Sequence, residues 1–146
     1  MKVAFYKGKK RIFNRLVSWW TRGPYSHCEV VMSNGRFISS SSMDGGVRIK
    51  HISVDDGNWD FLELDDATPD MWEAAIKMVG TPYDFLGLVG FVFSRVADDR
   101  HKMFCSEFVM RFFGFSDPWR FDPNTAYSVL KNISDQQAAK RNVAAA

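Results

Sequence analysis

The spacing of apolar residues changes period along the chain. Up to Leu64 they come in short alternating runs, and from Thr68 onward they recur every three or four positions. The alternating half predicts strands over residues 2–6, 27–32, 37–41, 47–52 and 59–64. A helix interrupts them over residues 11–21, where Ile12, Phe13, Leu16, Val17, Trp19 and Trp20 fall near one side before Gly23-Pro24 ends it. Ser33-Asn34-Gly35-Arg36 predicts a hairpin turn, because Asn-Gly tolerates positive φ, and Gly45-Gly46 predicts another.

In the second half, Thr68-Pro69 is a cap followed by a first-position proline, opening a helix that runs to Gly80. Residues 85–96 read as an apolar helix and 105–113 as another, stopped by Gly114. Asp122-Pro123 caps a last short helix through Leu130, and the polar, alanine-rich residues 134–146 read as a fraying tail. With no repeat and no linker, the expectation is one α+β domain over residues 1–133, an antiparallel sheet packed against helices, followed by a flexible tail.

Composition narrows this only slightly. At 146 residues and 46% hydrophobic the chain is long enough for a real core. No stretch near the start reads as a signal peptide. The longest apolar run, 85–93, falls short of the ~20 residues that span a bilayer. The expected location is therefore cytoplasmic, or virion-associated for a phage-encoded chain. Two cysteines cannot build a disulfide framework and are expected to be reduced. Net charge is +2 but unevenly spread. Lys2, Lys7, Lys9, Lys10, Arg11, Arg15 and Arg22 precede the first acid, Glu29, whereas residues 55–73 carry eight acids and no base. The basic start reads first as a solvated helix face and second as a surface for anionic lipid, nucleic acid or cell-wall polymer.

Two segments carry the candidate chemistry. Tyr25-Ser26-His27-Cys28-Glu29 opens a strand on a histidine, and Met103-Phe104-Cys105-Ser106-Glu107 opens a helix on a cysteine. A helix N-terminus beside an imidazole lowers a thiol pKa, and the thiolate is the nucleophile. Cys105 is the candidate nucleophile and His27 the candidate base. Cys28 leaves the opposite strand face and reads as core, and His101 reads as solvated. Glu29, two positions from His27, shares its face and is the candidate to orient the imidazole. Its structural alternative is a salt bridge to Arg48 or Arg111.

Together with Gly80-Thr81-Pro82-Tyr83-Asp84-Phe85-Leu86-Gly87 and the Asn-Gly hairpin, these segments resemble the circularly permuted papain-like hydrolases. These are NlpC-type and YiiX-like relatives of cell-wall peptidases and of lecithin:retinol acyltransferase. The Asp122-Pro123-Asn124 segment also resembles small bacteriophage-encoded members. The histidine-before-cysteine order is the permuted one. The resemblance implies a permuted papain-like fold and a Cys–His hydrolase or acyltransferase without a cofactor. It also implies a polar residue on the hairpin's return strand, near Ser39 or Ser40, as the alternative orienting group.

The expected reaction is cleavage of an amide or peptide bond, such as a cell-wall peptide, through an acyl-thioester. A lipid acyl ester or amide is the alternative substrate. A virion-structural or binding protein with an idle pair is the non-enzymatic alternative, with virion proteins as partners. Histidine and cysteine spacing does not suit a structural zinc. No phosphate loop and no nucleic-acid signature is present.

Overall fold

The computed structural model describes residues 1–84 and 102–144. The expected apolar helix at 85–96, and His101, lie outside the described residues. Five strands form one antiparallel sheet: β1 (Lys2–Tyr6), β2 (His27–Val31), β3 (Phe37–Ser41), β4 (Gly46–Lys50) and β5 (Trp59–Glu63), in the order β4-β3-β2-β1-β5. Among the described residues four helices accompany them: α1 (Ile12–Trp20), α2 (Pro69–Lys77), α3 (Cys105–Phe112) and α4 (Pro123–Ala144), with a short 3₁₀ turn at Pro118–Arg120. The α+β class and the antiparallel sheet follow the hydrophobic pattern.

Local chemistry accounts for the element ends. Gly35 takes φ 76° in the β2–β3 hairpin, where Met32 N donates to Arg36 O at 2.8 Å. Thr68 Oγ1 accepts from Met71 N at 3.3 Å and caps α2. Asp122 caps α4, its carboxylate accepting from the backbone N–H of Asn124 at 2.7 Å and of Thr125 at 3.1 Å. The core lies between one sheet face and the helices. Val3, Phe5, Cys28, Val30 and Ile38 meet Phe108, Val109, Met110 and Leu130, all at 0% exposure. Each such apolar side chain contributes roughly 1.5–3 kcal/mol by leaving water.

Two expectations need correction. The last helix does not stop near Leu130 but runs to Ala144. Its continuation is held by Ile133 against the core and, beyond it, by polar contacts. Ser134 Oγ donates to Glu63 O at 2.6 Å, Gln137 Oε1 accepts from Asp65 N at 2.8 Å, and Arg141 pairs with Asp65 at 2.6 Å. Apolar periodicity is blind to such docking. In α1 the apolar side faces outward: Ile12 is 77%, Leu16 56%, Trp19 73% and Trp20 43% exposed, while Val17 and Ser18 are buried.

Asn124 is the long-range tie nearest to the β2 start. Its Oδ1 accepts from Tyr25 N at 2.9 Å, and its Nδ2 donates to Tyr25 O at 2.8 Å and Thr21 Oγ1 at 2.6 Å. The loop that delivers Ser26 and His27 is thus pinned to the first turn of α4. Asn124→Ala strands these partners, so we expect a loss of ~2 kcal/mol in urea unfolding. An unchanged midpoint would show that the loop is held by other contacts.

Candidate active site

Cys105 owes its position to the segment before it. Met103 N donates to Pro82 O at 3.1 Å, Asp84 N donates to Met103 O at 3.3 Å, and Ser40 Oγ donates to Met103 O at 2.6 Å. Thr81 and Pro82 are themselves tied to the start of β4: Val47 N donates to Thr81 O at 2.8 Å, and Gly46 bridges to Pro82. A side chain at Gly46 would run into the Thr81 carbonyl, so only glycine permits this approach. The chain then turns at Phe104 and enters α3 with Cys105 as its first helical residue and no side-chain cap. A helix opened this way directs its positive end at the thiol.

His27 opens β2, as its spacing predicted. Its Nε2 lies 2.9 Å from Glu29 Oε1, which leaves Nδ1 as the nitrogen free to take a thiol proton. Glu29 is 1% exposed and is also gripped by Arg48, whose Nη1 and Nη2 donate to its two carboxylate oxygens, each at 2.7 Å. The two readings of Glu29, imidazole partner and salt bridge to Arg48, are therefore realised together. Arg111 instead pairs with Glu107 at 2.9 Å. Arg48 in turn donates through Nε to Asp44 at 2.9 Å, and Lys50 pairs with Asp44 at 3.0 Å. The chain of contacts is His27–Glu29–Arg48–Asp44.

The alternative orienting residues are committed elsewhere. Ser39 Oγ donates to Cys28 O at 2.7 Å, and Ser40 serves Met103. Both hydroxyls hold backbone beside the site rather than the imidazole.

The protonation equilibria follow from these neighbours. For Cys105 the largest influence is a hydrogen bond from the Cys28 thiol. Burial works against it, and the charge and hydrogen bond of His27 together with the Cys28 backbone N–H bring the thiol well below its ordinary value. Burial alone would push the His27 imidazole down, but Cys105 and then Glu29 reverse this and hold it at about 10. Burial also opposes the charge on Glu29, yet hydrogen bonds from His27 and Arg48 keep its carboxyl below the usual range. Cys28 behaves oppositely, its thiol pushed well up first by burial and then by Cys105. A thiolate facing an imidazolium is the favoured charge state of the pair.

A cavity of about 320 Å³ opens beside His27 and Glu29, walled among others by Ser26, Tyr6, Arg48, Trp59 and Tyr83. Cys105 is 4% exposed and is not among the described residues of that wall. Ser26 is 4% exposed, and its hydroxyl has no hydrogen-bond partner among the described residues. The sequence reading missed the Cys28 contact with Cys105, the Arg48–Asp44 bond and the tie from Asn124 to Tyr25. Among the described residues no group of three or more histidine, cysteine, aspartate or glutamate side chains is placed to hold a metal. No family model matches the chain, and no curated protein matches it.

Proposed function

We propose that the protein is a thiol hydrolase that cleaves an amide or peptide bond, cell-wall peptide being the substrate class that the motif resemblance favours. The observation that carries this reading is the His27 imidazole, fixed through Nε2 by a clamped Glu29 and in contact with a cysteine at a helix N-terminus. The Cys105 thiolate attacks the carbonyl carbon, forming a C–S bond and a tetrahedral oxyanion. The Cys105 backbone N–H is the donor we assign to that oxyanion.

As the C–N bond breaks, the imidazolium gives its proton to the departing amine, leaving an acyl-thioester and neutral His27. Water, deprotonated by His27, then releases the acid and restores the ion pair. Glu29 keeps the imidazole in the required tautomer throughout. A permuted papain-like fold is part of this proposal. The histidine-before-cysteine order and the packing of α3 on β2 and β3 support it.

One observation favours a second reading, cleavage of lipid acyl esters or amides. The start of α1 lines the cavity through Arg11, Phe13 and Asn14, and the same helix carries the exposed apolar residues Ile12 and Leu16. Peptidoglycan fragments and acyl esters offered side by side to wild type and Cys105→Ala separate the possibilities. Cys105-dependent release from peptidoglycan is the expected result. Cys105-dependent ester turnover without it would transfer the function to lipids. Turnover of neither would assign the fold to a virion-structural or binding role.

A further inference from the structure

Among the described residues, α1 is the helix whose apolar stripe is turned to solvent. At 100° per residue, Ile12, Leu16, Trp19 and Trp20 fall within one arc, while Val17, Ser18 and Asn14 occupy the opposite side. The inner side is the attached one. Val17 and Ser18 are buried, and Ser18 Oγ donates to Pro24 O at 3.2 Å.

Basic residues border the exposed stripe. Lys9, Lys10, Arg11, Arg15 and Arg22 are all exposed. Lys7 is spent on Asp60 at 2.6 Å, and Lys10 feels the carboxylate of Asp56, whereas Lys9, Arg11, Arg15 and Arg22 make no ion pair with described residues. Residues 1–28 contain no acid at all.

We propose that α1 docks the protein on an anionic lipid bilayer. Ile12, Leu16, Trp19 and Trp20 enter the headgroup boundary, and Lys9, Arg11, Arg15 and Arg22 meet lipid phosphates. The chemistry fits at both ends. Indole rings favour the water–hydrocarbon boundary, because their apolar bodies bury while their N–H stays hydrated. Cations beside an apolar stripe add electrostatic attraction to the burial of a short amphipathic helix. A second copy of this chain is a poorer occupant, since a two-fold contact through α1 would bring two basic clusters together. Arg11, Phe13 and Asn14 line the His27 cavity, so docking through α1 would bring that cavity near the membrane surface.

The inference does not rest on the hydrolase reading, and the test keeps the two apart. Full-length protein is floated with vesicles of pure phosphatidylcholine or of phosphatidylcholine and phosphatidylglycerol in equal parts, at low and high salt. Binding to the anionic vesicles with a blue shift of tryptophan emission, weakened by salt, is the expected result. Leu16→Glu and Trp19→Glu should each lower partitioning about tenfold or more, and Arg15→Ala about fivefold. Their melting temperatures should stay at the wild-type value, because these side chains lie in solvent.

Cys105→Ala should bind as wild type does, whether or not the protein hydrolyses anything. Absence of vesicle binding, or binding indifferent to Leu16→Glu and Trp19→Glu, would overturn the proposal. So would a wild-type dimer that Leu16→Glu dissolves in a sample that ignores vesicles.

Discussion

Replacing Cys105 by alanine is expected to lower turnover by roughly 10⁴-fold or more, and His27→Ala to do nearly the same, because the two act as one unit. The pH profile carries the more specific signature. The Cys28 hydrogen bond and the His27 charge hold Cys105 well below the ordinary thiol range, so turnover should already be high below the ~8.5 of a free thiol. Turnover should fall as pH passes about 10, where the imidazolium that protonates the leaving group is lost.

Iodoacetamide should modify Cys105 with a midpoint below ~8.5, while Cys28, held up by burial, reacts slowly. His27→Ala should move the Cys105 midpoint upward. The raised imidazole also stabilises the fold, fully below ~6.5, and that contribution drains away as pH rises through about 10. Faster alkylation of Cys28, or turnover that survives Cys105→Ala, would remove the nucleophile assignment.

The second large effect concerns the Glu29–Arg48 pair. Arg48→Met leaves a carboxylate that is 1% exposed without its two guanidinium hydrogen bonds. Breaking one side of a buried ion pair costs ~3–5 kcal/mol, which for a chain of this size lowers the melting temperature by roughly 10 °C. Glu29→Met/Arg48→Met replaces both partners by apolar groups and is expected to recover most of that loss.

Turnover separates a positioning role from a structural one. If Glu29 fixes the His27 tautomer, the double variant regains stability but stays slow, and its alkaline limit moves down from about 10 because the imidazolium has lost a partner. If the pair serves only the fold, activity returns with stability. Ser39→Ala and Ser40→Ala should leave that alkaline limit in place, since their hydroxyls serve Cys28 O and Met103 O. The lowered carboxyl of Glu29 predicts an acid effect as well. Its contribution is present above ~4.3 and is lost as pH falls through its lower folded value.

What the sequence determined by itself was local. A period of two places His27 and Glu29 on one face of a strand, and the structure holds them 2.9 Å apart. Asn34-Gly35 encodes the hairpin because glycine alone takes positive φ freely, and Thr68-Pro69 encodes a helix start through a hydroxyl and a preset φ. Torsion preferences and facial periodicity act over a few residues, so a few residues suffice to read them.

The rest needed the tertiary structure. Arg48 reaches Glu29 because β3 pairs with β2 on one side and β4 on the other, a register set by the whole sheet. The Cys28 thiol meets Cys105 only because α3 packs on β2, and Asn124 reaches Tyr25 only because α4 begins beside the loop that precedes His27. The stripe on α1 shows the division most plainly. Periodicity fixes that Ile12, Leu16 and Trp19 share a side, but which side meets the core depends on what else competes to cover the sheet. There Val17 and Ser18 turn inward and the tryptophans are left in solvent.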